Sequence, residues 1–299
     1  MELRHLRFFV AVVEEGSFTT AAERRLHTAQ PSLSRQIRDL EYEVGTPLLV
    51  RNARGVEPTP AGRAFLEHAR LALAQVEAGV VAARRAASPA KPTFAVGFLT
   101  GHEIDWLPEV MRILREELPT IEVTVSSQAS PDLGEALSWG KLDLAFMRIE
   151  PKFTDLSFES VTQEPLVVLL PSDHELAKLD AIDVRQLKDQ ILIDVGGKAT
   201  VLHDVIAQYL ATAKIPMPQA HAVDNLSMGI SLVASTRGVA LLPRYVENFL
   251  PWSVVSRPLK GRVPTIDLAV AYRSDNASPL LAKFLSKLES LIERVSTRR

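Results

Sequence analysis

The chain has 299 residues, 46% of them hydrophobic and 23% charged, with a formal net charge of −2. That length leaves room for two or three domains with ample apolar material for their cores. It contains no cysteine, which removes disulfides, thiolate metal sites and cysteine nucleophiles and suits a reducing compartment.

The start, MELRHLRFF, carries charge where a secretion signal needs an apolar stretch. No run approaches the roughly 18 apolar residues of a membrane span, so a cytoplasmic protein without a membrane partner is expected. Residues 1–90 hold 12 Arg, no Lys and 10 acids, whereas residues 91–299 hold 22 Lys and Arg against 26 acids. The N-terminal third is thus weakly basic and uses only arginine, the side chain that binds in bidentate forks.

Leu3, Leu6, Val10 and Val13 line one face of a first helix that Gly16 ends. Ser17 or Thr20 can cap a short second helix, and Thr20 with Glu23 matches a capping box. Leu26-His27 is a turn. A third helix then runs from Thr28 to Gly45, capped by Thr28, with Pro31 in the first turn and Gly45 as its stop. Leu33, Ile37, Leu40 and Val44 form its apolar stripe. Its other face carries Gln30, Ser32, Ser34, Arg35 and Arg38, with no acid before Asp39. Those groups suit base edges and phosphates in a major groove. A solvated polar face is an equally good account of that helix alone, and the flanking elements decide. Leu48–Arg51 and Val56–Pro58 read as a hairpin whose tip carries Arg51 and Arg54, a wing beside a helix-turn-helix.

Thr59-Pro60 opens a long helix over 60–87, about 42 Å at 1.5 Å per residue. Leu66, Ala69, Leu73, Val76, Val80, Ala83 and Ala87 recur at alternating spacings of three and four. This is a heptad seam, which favours a partner helix over packing on its own domain. Ser88-Pro89-Ala90-Lys91-Pro92 reads as a linker.

The blocks MELRHLRFFVAVVEEGSFTTAAE, TAQPSLSRQIRDLE and GTPLLVRNARGVEPTPAGRAF resemble the winged helix-turn-helix of LysR-type transcriptional regulators. The likeness covers the whole chain, is densest in residues 1–65, and is strongest to the regulators of benzoate, muconate and phenylpropionate catabolism. It implies DNA contacts at Gln30, Pro31, Ser34, Arg35 and Arg54. Between Ala21-Ala22 and Leu26 the chain has one residue more than the common family spacing, at Arg24-Arg25, which helix 2 or its turn has to absorb.

Beyond residue 92 strand-like and helix-like runs alternate. The strands fall at 94–99, 121–126, 142–147, 166–170, 191–194, 239–242, 254–257 and 266–272. The helices fall at 106–117, 131–138, 184–187, 200–213, 226–235 and 279–295. Such alternation implies α/β structure with mostly parallel sheets. The resemblance implies two Rossmann-like subdomains, as in periplasmic binding proteins, with chain crossings near Val161–Glu164 and Pro264–Asp267. The expected fold class is α+β multidomain: a winged helix-turn-helix over 1–58, a dimerisation helix and hinge over 59–91, and an α/β effector domain over 92–299. Within the last, subdomain I is 92–161 with 267–299, and subdomain II is 162–266.

Ligands of such sheets sit beyond the carboxyl ends of strands, near helix N-termini. Thr100-Gly101-His102, Ala129-Ser130, Arg148 and the segment Gly196-Gly197-Lys198-Ala199-Thr200, with Leu202 following, are four such places. Hydroxyls, free N–H groups and two cations favour a small carboxylate-bearing effector. By resemblance Ser130 and Arg148 fall on effector positions, Gly101 falls where relatives carry Ser, and His102 where they are often apolar. Each position alone has a simpler account: a helix cap, a turn, or, for Arg148, pairing with an acid across the cleft. No nucleophile–base–orienter set, metal spacing or cofactor motif is present, so a non-enzyme without metal or cofactor is expected. The resemblance implies a homodimer or homotetramer on an inverted-repeat operator in double-stranded DNA, acting as an activator with RNA polymerase as partner. A solute-binding protein without DNA function is the competing reading, opposed by the 1–65 block. An enzyme on the same scaffold has no motif behind it.

Overall fold

The computed structural model describes residues 1–52, 55–87, 92–195, 200–216, 223 and 225–297. The chain divides into two compact units, Met1–Ser88 and Pro89–Arg299.

In the first unit, helix α1 (Leu3–Glu15) ends at Gly16, and α2 (Phe18–Thr20) runs directly into a π-helical turn, Ala21–Leu26. Ser17 is the cap of α2, its Oγ accepting the Thr20 N–H at 3.3 Å; the expected Thr20–Glu23 box does not form. The π turn takes up the additional residue. His27 donates its N–H to Ala22 O and adopts φ 48, and Thr28 N also reaches Ala22 O, at 3.0 Å. A π turn spends one more residue per turn than an α turn, so the insertion is confined to helix 2. With Thr28 closing that turn, Ala29 rather than Thr28 becomes the N-cap of α3 (Gln30–Val44), which starts one residue later than expected. Gly45 ends α3 at φ 78, a left-handed stop that glycine adopts without strain. Leu33, Ile37 and Leu40 are buried against Phe9, Val12 and Ala22.

Strands β1 (Leu49–Asn52) and β2 (Gly55–Pro58) form the wing. Its root is fixed on α3, because Glu41 Oε1 accepts the N–H groups of Leu48 and Leu49 at 2.8 and 2.9 Å. Helix α4 (Pro60–Ala87) is capped by Thr59 Oγ1, which accepts the Gly62 N–H at 2.9 Å. The first half of its heptad seam does not wait for a partner. Ala69 is buried, Leu66 and Leu73 are half-buried against the helical core of the same unit, and Phe65 meets Phe9 edge-on at 5.4 Å. The seam emerges only further on, where Val80 is exposed.

The second unit has one seven-stranded sheet in the order β4-β3-β5-β9-β6-β7, with β8 also on β6. The strands are β3 (Thr93–Leu99), β4 (Glu122–Gln128), β5 (Leu144–Met147), β6 (Leu156–Pro171), β7 (Ala240–Pro243), β8 (Val254–Pro258) and β9 (Thr265–Arg273). Among the described residues only β3–β4 and β3–β5 are parallel ladders; β9 and β6 run antiparallel to their neighbours. The expected mostly parallel sheet is therefore corrected. The long β6 pairs with β9 over Leu156–Pro165 and then with β7 and β8 up to Pro171. One strand thus serves two cores, one around Phe94, Trp106 and Phe146, the other around Leu169, Leu210 and Val233. Helices α5 (Glu103–Glu117), α6 (Ser130–Ser138), α7 (Thr200–Thr212) and α8 (Leu226–Thr236) cover the sheet.

The expected strand at 191–194 shrinks to a parallel bridge between Leu192 and Val239. The expected single C-terminal helix breaks into α9 (Pro279–Leu285) and α10 (Leu288–Ser296). There Ser286 Oγ donates to Lys283 O at 2.7 Å, a back-bond that bends helices, and Lys283 and Lys287 both pair with Glu117.

Candidate functional site

The first candidate surface is the polar face of α3 with the wing. Gln30 and Ser34 are half-buried, whereas Pro31, Ser32, Arg35 and Arg38 are exposed. Among the described residues none of these arginines is in an ion pair with an acid; Arg38 Nε donates to Ser34 O at 3.4 Å. Arg51 extends from β1 and donates through Nη2 to Ser34 Oγ at 2.8 Å, its guanidinium 4.4 Å over the Phe18 ring. Helix and wing therefore present one continuous row of donors. Arg54 lies outside the described residues.

The second is a cavity of about 310 Å³ in the other unit, at the carboxyl ends of β3, β5 and β7. Thr100, Ser130, Arg148, Leu202 and Tyr245 are among its lining residues. Of the expected effector residues, Thr100, Ser130, Arg148 and Leu202 meet here. Gly197 and Lys198 lie outside the described residues, and Thr200 opens α7.

Gly101 and His102 do not line the cavity, because Tyr245 stands in front of them. The His102 and Tyr245 rings lie 3.7 Å apart, and Tyr245 Oη donates to Thr100 O at 3.2 Å. Gly101 has φ +93, and a Cβ there would fall 2.8 Å from the Tyr245 ring and 3.0 Å from that of Phe249. A serine side chain at this position would collide with both rings. The loop's N–H groups are also occupied: Thr100 N by Gln128 O, Gly101 N by Glu103 Oε2 at 2.7 Å, and His102 N by Leu99 O. These three N–H groups are therefore taken within the fold rather than open to an external anion.

Arg148 is 4% exposed. Its Nη2 donates to Glu164 Oε2 at 2.8 Å, and His102 Nε2 donates to the same oxygen at 3.1 Å. Burial alone would raise Glu164, but the bond and charge of His102, with those of Arg148, hold its carboxyl down at about 2. Arg148 Nη1 reaches Ile266 O at 3.5 Å on β9, and its own N–H donates to Ser130 Oγ at 3.0 Å. Arg148 is thus a cation already paired across the sheet, the simpler of the two accounts its sequence position allowed. Burial, helped by Glu164 and Glu103 and opposed by Arg148, pushes the Tyr245 hydroxyl up, so it remains a neutral donor.

Tyr245 and Glu164 escaped the sequence reading. Tyr245 could have been found, since it follows β7 as Arg148 follows β5, and the strand-end rule applies to both. Glu164 gave no signal, standing next to Pro165 in a stretch without a continuous apolar run. Asp143 ties strand to loop, accepting Ala95 N at 2.8 Å. His203 pairs with Asp194 at 3.0 Å, and His174 Nδ1 caps a short 3-10 turn at Leu176. No helix among the described residues is long and apolar enough to cross a membrane.

Comparison with known proteins identifies both units. Residues 3–63 match the bacterial regulatory helix-turn-helix family of LysR type, and residues 87–291 match the LysR substrate binding domain. The Hca operon transcriptional activator HcaR of Escherichia coli (strain K12) is 36% identical, covering 99% of this chain and all of that one. The regulator BenM of Acinetobacter baylyi is 31% identical over 92% of this chain and 90% of its own length. The crystal structure of full-length BenM has a TM-score of 0.60 at 27% identity, covering 99% of this chain and 98% of that one. That of full-length CbnR complexed with its target DNA has 0.56 at 25%, covering 98% and 100%. With both family models matched and relatives of this identity along its whole length, the chain belongs to the LysR family: it is a DNA-binding transcriptional regulator with a C-terminal effector-binding domain.

Proposed function

We propose that this regulator is an activator whose second unit binds a small organic acid and whose first unit reads an inverted-repeat operator as part of a dimer or tetramer. The domain bounds proposed are 1–58 for DNA binding, 59–91 for pairing, and 92–299 for the effector. Subdomain I comprises 92–161 and 267–299, and subdomain II comprises 162–266.

One observation carries the effector reading. The cavity is enclosed by strand ends, with the α6 start and Arg148 on its wall. The first turn of α6 directs backbone N–H groups and the Ser130 hydroxyl toward an anion. Arg148 adds positive potential while being held by Glu164, so the carboxylate is received mainly at Ser130, with Lys198 as a second candidate. The acid shifts the lobes, and with them the quaternary arrangement, only as far as its affinities for the two states differ. Pairing is assigned to the part of α4 around exposed Val80, beyond Leu66, Ala69 and Leu73. The near half of the helix is already covered, so the self-association interface is shorter than the heptad alone suggests. RNA polymerase is the partner proposed at the promoter. On DNA, Gln30, Pro31, Ser32, Ser34, Arg35 and Arg38 face the groove, and Arg51 and Arg54 belong to the wing.

A thermal-shift series with benzoate, cis,cis-muconate, 3-phenylpropionate and acetate tests the effector class. At least one is expected to raise the Tm of wild type. Ser130→Ala should abolish most of that rise while leaving the unliganded Tm within a few degrees. A full rise in Ser130→Ala, or no rise with any acid in wild type, overturns the reading.

A further inference from the structure

Arg51 is held from several sides. The root of its strand is clamped by Glu41 of α3 at Leu48 and Leu49. Its ladder partner Val56 is buried and donates its N–H to Gly16 O at 2.9 Å. Its guanidinium carbon sits 4.4 Å from the centre of the Phe18 ring, and Phe18 is itself 7% exposed. Its contact with Ser34 is therefore the geometry of the wing rather than the pose of a loose side chain.

Guanidinium has donors only, so in this bond Ser34 Oγ is the acceptor. A serine hydroxyl has a single hydrogen, which is then left to donate. A second donor approaching the same oxygen would come up against the arginine's positive charge. Unconstrained serine serves base donors and acceptors alike. Here one side of the oxygen is filled by Arg51, which leaves the hydroxyl hydrogen available to an outside acceptor.

We propose that Arg51 is a positioning residue that makes Ser34 a donor toward DNA, so that Ser34 selects base-edge acceptors, and that Arg51 acts on sequence preference rather than as a phosphate contact. In the major groove this favours guanine N7 and O6, adenine N7 and thymine O4, and disfavours the amino groups of cytosine and adenine. The inference rests on the reading of Ser34 as a base contact.

The test uses the full chain and duplexes that it selects from random-sequence DNA. Base preference and the salt dependence of affinity are measured for wild type, Ser34→Ala, Arg51→Met, Arg51→Lys and the double variant Ser34→Ala with Arg51→Met. Met keeps the packing on Phe18 without a donor, and Lys restores a donor. Arg51→Met is expected to reduce discrimination about fivefold at the base position that Ser34→Ala also affects, the worth of about one hydrogen bond. The salt slope should stay unchanged, Lys should recover most of the loss, and the double variant should be no worse than Ser34→Ala at that position. Uniform weakening on all duplexes with a salt slope smaller by about 0.9 makes Arg51 a phosphate contact and overturns the inference. Discrimination intact in Arg51→Met but lost in Ser34→Ala overturns it alone. Unchanged preference in Ser34→Ala removes Ser34 from the reading set, and the inference with it.

Discussion

Arg35 and Arg148 are the same side chain used in opposite ways. Arg35 stands exposed on α3 with no ion pair among the described residues, whereas Arg148 is buried and shares Glu164 with His102. A surface cation costs little to leave unpaired in water, so it can wait for a phosphate or a base edge. A cation inside a sheet cannot wait, because leaving it uncompensated costs several kcal/mol. The folded chain must supply the counter-charge itself. On the proposed assignment, DNA recognition rests on side chains left free, whereas the cation beside the cavity already has its charge matched from within the fold.

The largest expected effect lies on the buried side. Glu164→Ala removes the common acceptor of Arg148 and His102, and is expected to cost roughly 3–5 kcal/mol in urea unfolding of the full chain. Loss of less than about 1 kcal/mol would mean that water reaches Arg148 and that the contrast with Arg35 is not real. The same carboxylate makes a pH prediction. Its carboxyl is held down to about 2, below the usual glutamate value of 4.5, so its contribution is complete above about 4.5 and fades as pH falls toward 2. The size is at most about 3 kcal/mol by linkage. Glu164→Gln should flatten that acid limb of the stability profile. An unaltered limb would assign the acid sensitivity to other carboxylates.

Arg35→Ala comes next. Specific affinity is expected to fall by about 1–3 kcal/mol if Arg35 reads a base edge, with stability changed by less than about 0.5 kcal/mol. A footprinting titration in which the variant protects the operator like wild type would remove Arg35 from the reading surface. A large drop in stability would show that the exposed cation is not free after all.

This contrast also explains what could be read from residues alone. The stripe Leu33, Ile37 and Leu40, the Gly45 stop and the Arg-bearing hairpin are local patterns, and local patterns survive folding. The α4 heptad was legible as a helix, but which surface covers it depends on Phe9, far away in sequence. The sheet's direction is not legible from the residues because β6 does two jobs, and the half ahead of Pro165 has no apolar run to announce it. At the cavity, strand ends gave Thr100, Ser130 and Arg148. They could not reveal that Tyr245 covers Gly101, since that close approach joins segments more than 140 residues apart.

The smallest effect tests the seam between helix 2 and α3. The π turn over Ala21–Leu26 holds the residue that lengthens this segment, and its carbonyl at Ala22 takes the N–H groups of both His27 and Thr28. If that turn only stores the insertion, deleting exposed Arg24 should convert it to α-helix. The core would stay in place, since Ala21 and Ala22 precede the deletion and Leu33 follows a fresh helix start. Arg25 would keep its place beside Leu26 and its pairing with Glu14, which Arg70 of α4 also holds. Stability is then expected to change by less than about 1 kcal/mol, as for an exposed site, and the selected operator to stay the same. A shifted base preference at unchanged stability would show that the π turn aims α3. The extra residue would then be part of how this regulator chooses its DNA rather than a length that helix 2 merely accommodates.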